Sequence, residues 1–448
     1  MARAKKELKA APPLSRQAQL LQRLRASGVS IESAASAMQK WRYIDFVNPL
    51  QELPCITLEW LVGARGFLAG RILQLRAQFS KGKSSYMYLQ YAMGQLLSRA
   101  FCQHYETEGA QAPADYIASF GCNPTDLLIS EVQALEACLE QIDQTICEIR
   151  GGFGGTVSEA SGRMVKTKYT DPLDPTCESP IIIGIDSLSS LGKDDDVNVD
   201  VCDAGGTPQL SYHTRKLRDY FRNRVGRFRD TQTFLMLTSH ETANIKVGKG
   251  PAKGGDKSAL AQAAIGIHAT YGIDVDSTPY RDKERGLQLG DIVKMRTFKN
   301  KLSPRYREVE LYLVWNHGFD LIKTDWEFLS KHPASPFAVT VGQKPLLYKH
   351  SNGITCKPLS DKSFASEEDF LRAFYNNNDM LMEMREKMRI RGCGFAFESQ
   401  FMKNNPTGEL PEEPGGTEGY EDGEAAKLSP GDGGALSGGG DGCGGVFS

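Results

Sequence analysis

A chain of 448 residues, 40% hydrophobic and 24% charged, has the composition of an ordinary soluble protein and enough length for two or three domains around a well-buried core. No apolar run approaches the ~20 residues that cross a bilayer, and Lys5, Lys6 and Lys9 are followed by no apolar segment of a secretory signal, so no membrane partner and a cytoplasmic location are expected. The ten cysteines form no C-x-x-C pair, which excludes a regular zinc site and fits reduced thiols better than a disulfide frame. The formal charge of −2 is uneven: residues 404–448 carry nine acidic side chains and one Lys, a net of −8, which leaves +6 on the rest. Such a tail either competes with an anionic partner or simply solubilises the chain.

Residues 1–12 are basic, contain Ala and Pro, and read as disordered. Ser15 to Gly28 reads as a capped helix, and 31–42 as a second. Region 1–50 is thus an N-terminal helical segment that packs on a neighbouring subunit or on its own core. The core is expected over 51–330. Within it Ile72–Leu75 is a short apolar strand, and Gly82-Lys83-Ser84 opens a helix with apolar Met87, Leu89, Tyr91, Met93, Leu96 and Leu97. Strand, loop and helix in that order make a phosphate cradle: loop amides and the positive helix end face the phosphates, a Lys reaches the β/γ oxygens, and a Ser hydroxyl holds Mg²⁺. The candidate residues are Ala77, Ser80, Lys81, Gly82, Lys83, Ser84 and Ser85. Ala77 stands where G-x-x-x-x-G-K-[ST] has its first Gly, and an incidental Gly-Lys-Ser at a helix start is the plainer alternative.

The strand Ala100–Tyr105 runs into Glu106-Thr107-Glu108, and a helix over about 131–149 repeats Val132, Leu135, Leu139, Ile142 and Ile146 at i, i+3, i+4 spacing. Strands alternating with helices predict a parallel, doubly wound sheet. The stretch 151–179 is a Gly/Pro-rich insertion whose Lys166 and Lys168 either meet nucleic acid or are solvated. Then Pro180 to Asp186 is an apolar run ending on an aspartate. Ligands of open α/β sheets bind at the carboxyl ends of strands, so Asp186 either faces a Mg²⁺ shared with Ser84 or caps a turn. A loop over 192–208 precedes a basic helix with Arg215, Lys216, Arg218, Arg222, Arg224, Arg227 and Arg229. The strand Thr233–Thr238 leads through His240 into a Gly/Lys loop, 241–258, with Lys246, Lys249, Lys253 and Lys257. A cationic loop without apolar core residues of its own suits a nucleic-acid backbone, with solvated lysines as the alternative. Antiparallel strands Ile292–Phe298 and Val309–Trp315 finish the sheet. A small α/β domain follows over 331–403, with a helix at about 366–389, and Gly and acidic residues keep 404–448 disordered.

Over about 50–320 these motifs, in order, resemble the RecA-type homologous recombinases, the phage UvsX-like members included. Gly70-Arg71-Ile72-Leu73-Gln74-Leu75 leads into the phosphate loop. Tyr105-Glu106-Thr107-Glu108 is similar to the family's acidic stretch, and Ile185-Asp186-Ser187-Leu188-Ser189-Ser190-Leu191 to its metal strand. Leu237-Thr238-Ser239-His240 stands where a strand enters the second DNA-binding loop, and Phe298-Lys299-Asn300-Lys301 matches a Lys-Asn-Lys that reaches a neighbour's ATP.

The resemblance implies a RecA-like P-loop NTPase core of α/β class and a DNA-dependent ATPase with ATP and Mg²⁺ as cofactors. By carry-over Lys83 holds β/γ phosphates, Ser84 and Asp186 place Mg²⁺, and Tyr116 is the candidate for stacking on adenine. Glu108 activates water, with Glu106 as its rival. His240 senses the γ-phosphate, although on the residue alone it reads rather as a hydrogen-bonded strand end. Lys299 and Lys301 act in trans. Loops 192–211 and 241–258 grip single-stranded DNA, through Leu210 and through Lys246, Lys249, Lys253 and Lys257. The implied partners are single- and double-stranded DNA, further copies in a helical filament, and a single-strand-binding protein or loading mediator. The implied activity is strand exchange. A RecA-fold mediator without turnover and a hexameric helicase motor are the alternatives. Ala77, the insertion 151–179, and Gln262 at a common aromatic filament contact depart from the bacterial pattern and suggest a divergent, phage-encoded protein acting in a host cytoplasm.

Overall fold

The computed structural model describes residues 42–109, 111–150, 155–157, 164–166, 179–192, 209–243, 257–259, 262–282, 284–335, 337, 347–350, 353–356 and 363–387. In chain order, β1 (Tyr43–Asp45), α1 (Ile56–Val62), β2 (Gly66–Leu68), β3 (Ile72–Ala77), α2 (Lys83–Ser98), β4 (Phe101–Glu106), α3 (Ala114–Ala118), β5 (Leu127–Glu131) and α4 (Leu135–Arg150) lead to a hairpin of β6 (Gly155–Val157) and β7 (Met164–Lys166). Then follow β8 (Ile181–Asp186), α5 (Gln209–Asp230), β9 (Thr233–Ala243), β10 (Lys257–Ala259), α6 (Gln262–His268), β11 (Tyr271–Arg281), β12 (Gln288–Asn300), β13 (Glu308–Val314), β14 (Gly318–Asp320) and α7 (Leu321–Lys331). The described part ends with β15 (Leu347–His350), β16 (Gly353–Cys356), β17 (Ser363–Phe364), α8 (Glu367–Tyr375) and α9 (Asn378–Lys387).

The apolar runs become central strands because only a strand covered on both faces has use for them. All six residues of β8 are buried. Ile181, Ile183 and Ile185 face one core cluster with α4 and α5, whereas Ile182 faces the other with α2. This alternation makes a three-layer α/β/α arrangement. In the large sheet the order is β14-β13-β12-β11-β3-β9-β8-β4-β5, with β10 paired to β9. The six strands from β11 to β5 are mutually parallel, and β12, β13 and β14 continue antiparallel. Helix α2 lies close on the sheet: a Cβ at Gly184 would collide with Tyr91 and Met87. Of its expected apolar face, Leu96 and Leu97 lie beyond the buried stretch and are exposed.

Several expectations change. The sequence reading has no strand at β5 or β11. The loop expected over 241–258 is strand at both ends, since Lys257, Ser258 and Ala259 pair with Ala243, Thr242 and Glu241. Leu210, expected in a loop, lies in the first turn of α5. Lys166, in the expected insertion loop, stands in β7 opposite Gly155. The single helix expected at 366–389 is two, because the Asn377 side chain accepts the Met380 N–H (3.1 Å) and starts a new helix. Lys168, Lys246, Lys249, Lys253, both helices expected before Arg42 and the acidic tail lie outside the described residues. The small sheet β15-β16-β17 is antiparallel, and Phe370, Leu371 and Phe374 of α8 join the core cluster that contains α1 and α2. Among the described residues no helix is long and apolar enough to cross a membrane.

Candidate functional site

Strand register brings four carboxyl ends together. Ala77 of β3 lies opposite His240 of β9, and Glu106 of β4 lies opposite Asp186 of β8. Between β3 and α2 the backbone must turn sharply, with left-handed φ at Ser80 (54°) and Gly82 (86°). Only Gly fits easily at 82, since a Cβ there would press to 3.1 Å on Val293. Lys81 pins the loop to β11 through Asp276 (2.9 Å) and the Ser277 carbonyl (3.0 Å). The first amides of α2 have no intrahelical acceptor, and with the helix dipole they make this end attractive to an anion.

The loop borders a cleft of about 420 Å³ lined by residues 79–85, Tyr88, Glu106, Glu108, Ala112, Tyr116, Asp186, His240, Asp291 and 313–315. The buried Lys83 ammonium donates to the Gln78 carbonyl (2.8 Å) and stands 3.3 Å from His240 Nδ1. His240 Nε2 lies 2.6 Å from Glu108 Oε1. One imidazole tautomer satisfies both contacts: Nδ1 bare to accept from the ammonium and Nε2–H donating to the carboxylate. The Ser187 and Ser190 hydroxyls donate to the same carboxylate oxygen (2.8 and 3.3 Å). Burial alone would raise the Glu108 pKa, but the hydrogen bonds from His240 and Ser187 together hold it below the usual glutamate value. Glu106 is likewise held low: burial opposes this, while His104 and the Glu108 backbone N–H (2.8 Å to Oε1) outweigh it.

Asp186 accepts from Ser84 Oγ on one oxygen and from Thr238 Oγ1 (2.6 Å) on the other. A hydroxyl and a carboxylate are hard oxygen donors, which suit a small divalent cation that keeps waters and takes phosphate oxygens. Among the described residues no group of three or more His, Cys, Asp or Glu could hold a metal. The donor set therefore fits Mg²⁺ carried in with a phosphate ligand and does not resemble an all-protein cage.

Tyr116 lines the cleft, its hydroxyl 2.8 Å from Ser85 Oγ. Lys299 and Lys301 are not brought to it. Asn300 pairs with Tyr271, which also aligns with Leu73, so their turn sits at the amino edge of the parallel strands. There Lys299 Nζ donates to the Gly266 and Ile267 carbonyls at the end of α6, and burial, helped by Lys301, pulls its pKa down to about 8. Sequence reasoning missed Phe79 and Trp315, both exposed large apolar residues lining the cleft. Phe79 lay inside the recognised motif, and Trp315 at the carboxyl end of a recognised strand; an exposed aromatic at either place is the signal.

Over 271 residues the chain is 22% identical to Protein RecA of Syntrophobacter fumaroxidans, a match covering 60% of this chain and 67% of that protein. It is 21% identical over 277 residues to Protein RecA of Thermotoga petrophila and of Thermotoga maritima, covering 61% of this chain and 66% of each. The likeness is distant and partial, spanning about two thirds of these relatives. No family model matches the chain.

Proposed function

We propose that the chain is a RecA-like, DNA-dependent ATPase that assembles into filaments on single-stranded DNA and promotes homologous pairing and strand exchange. One observation carries the reading: Lys83, Ser84, Glu108, Asp186 and His240 converge in one cleft at the carboxyl edge of a parallel sheet, joined by hydrogen bonds. The RecA likeness supports it. In this reading Lys83 and the first amides of α2 bind β/γ phosphates, with Ala77, Ser80, Lys81, Gly82 and Ser85 shaping the loop, and Tyr116 flanks the base. Ser84 and Asp186 would hold Mg²⁺, which would supply charge neutralisation for the phosphates. Glu108 orients and deprotonates water, and Glu106 positions Glu108 by its backbone. His240 links Lys83 to Glu108 and stands on the strand that leads toward Lys246, Lys249, Lys253 and Lys257, the residues we assign to DNA together with Leu210. Lys299 and Lys301 serve a neighbouring copy's cleft.

The test is ATP hydrolysis with and without single-stranded DNA across protein concentration. Stimulation by DNA with a cooperative concentration dependence is expected, and it should vanish in Lys83→Ala. DNA binding without hydrolysis under every condition would overturn the enzymatic reading and leave a RecA-fold mediator.

A further inference from the structure

Phe79 has no counterpart among the roles assigned so far. It is two-thirds exposed, at the mouth of the cleft, inside the phosphate loop. An aromatic ring left this open to water gains little from burial, yet it stacks on the His240 imidazole with centroids 4.1 Å apart and planes at 23°. Among the described residues the hydrogen bonds of His240 all lie at the ring edge or the backbone. Its backbone N–H donates to Ser189 Oγ (2.9 Å), Nδ1 faces Lys83 and Nε2 faces Glu108. Edge contacts fix where the two nitrogens lie but resist tilting of the ring weakly; a stacked face resists it directly. We propose that Phe79 is a positioning residue: its ring sets the plane of the His240 imidazole so that Lys83, His240 and Glu108 respond to an arriving phosphate as one unit.

The response follows from the bonds. Lys83 spends one of its three donors on His240, so a phosphate that takes the ammonium competes with the imidazole for it. Nδ1 then loses its donor, and a ring with no face held can reorient. The His240 hydrogen bond is one of those that hold the Glu108 carboxyl low against burial, so a ring free to tilt also changes how Glu108 titrates. The groups that face this event are Lys83 at the start of α2, Glu108 beyond β4 and Ser189 beyond β8, with Glu106 and Asp186 lining the same cleft. Without Phe79 the imidazole samples orientations in which the Lys83 and Glu108 contacts are not made together.

This inference rests on the proposed ATPase reading for its kinetic test only. Phe79→Ala, Phe79→Tyr and Phe79→Leu are compared with the unaltered chain, exposure of the side chain making misfolding a minor concern. In Phe79→Ala, kcat should fall about two- to tenfold, the range of one aromatic stack, with KM for ATP unchanged within twofold and the pH profile of kcat displaced. Tyr should restore both and Leu should not. An unchanged kcat and pH profile in Phe79→Ala, or full restoration by Leu, would overturn the proposal. A second measurement needs no turnover. The ring protons of His240, identified among the seven histidines by their loss in His240→Gln, should lie upfield in the NMR spectrum and return toward the ordinary position in Phe79→Ala. If the unaltered chain hydrolyses nothing, the ATPase reading fails, and these shifts still decide the stack: no change on removing Phe79 overturns it.

Discussion

On the proposed reading, Glu108→Gln separates the two carboxylates that compete for the role of base. Glu108 offers its carboxylate to three side-chain donors, His240 at 2.6 Å, Ser187 at 2.8 Å and Ser190 at 3.3 Å. Glu106 instead turns Oε1 to the Glu108 backbone N–H at 2.8 Å and Oε2 toward His104 at 3.8 Å. Gln keeps an acceptor oxygen of the same reach, so the cleft survives while proton abstraction is lost. A positioned base contributes about 10²–10⁴ in rate, or ~2.7–5.4 kcal/mol of barrier, so DNA-stimulated kcat should fall by that factor with KM little changed. Glu106→Gln should cost about tenfold or less, since it weakens one backbone hydrogen bond. The pH sign also follows. Because its hydrogen bonds hold the Glu108 carboxyl low, it is ionised above the ordinary value of ~4.3, and its bonds stabilise the fold there and fade as pH falls through the lowered pKa. It therefore supplies no acid limb of kcat between about pH 5 and 8. Steady-state hydrolysis over that range reads all of this. A Glu108→Gln variant within threefold of the unaltered chain, or a greater loss in Glu106→Gln, would refute the assignment.

Lys83→Ala should weaken binding of an ATP analogue at least about tenfold, because a buried charge-assisted contact of ~1.5–3 kcal/mol is lost; fluorescence titration checks it. Mixing Lys83→Ala with a Lys299→Ala, Lys301→Ala double variant should recover part of the hydrolysis that each lacks alone, whereas strictly additive rates would refute action in trans. Tyr375→Phe should cost about 1–3 kcal/mol of stability in urea denaturation without touching nucleotide binding, since Tyr375 donates to the fully buried Asp325 at 2.6 Å alongside Thr57 and Cys55. Gly184→Ala should cost about 1–3 kcal/mol by pushing α2 off β8, read in the same assay.

The central parallel strands β8 and β9 were legible because they are buried on both sides. Pro180 to Ile185 and Thr233 to Leu237 carry an apolar signal that needs no partner to interpret. β11, parallel to β3 and antiparallel to β12, was missed although Tyr271, Ile273 and Val275 are buried and Asp274 and Asp276 are not; Pro279 and the neighbouring charges obscured a period-two pattern that was present. β5 is short, lies at the sheet edge and exposes Leu128, so little in its composition separates it from a loop. Within the site, residue types located Lys83, Ser84 and Asp186, but the bond from His240 to Glu108 spans 132 positions. Only the register of β3, β9, β8 and β4 brings those two side chains together.

That register also limits what one copy can do. The cleft opens at Ala77, while Asn300 aligns through Tyr271 with Leu73. At ~3.3 Å per residue, four residues of strand separate the two levels by about 13 Å, and the turn points away from the cleft because β12 runs antiparallel to β3. A lysine side chain cannot span that distance around the sheet edge. Cations at the amino edge and the groups proposed to bind phosphate at the carboxyl edge meet if a second copy stacks its carboxyl edge on the first copy's amino edge. Such an arrangement is head-to-tail and does not close on itself unless the rotation permits a ring. On the proposed reading, then, hydrolysis reports assembly, and the Lys299 ammonium must leave the α6 carbonyls to reach its target. The carbonyls of α6 and the neighbour's phosphate compete for one cation, and the phosphate, with its full charge, is the stronger acceptor.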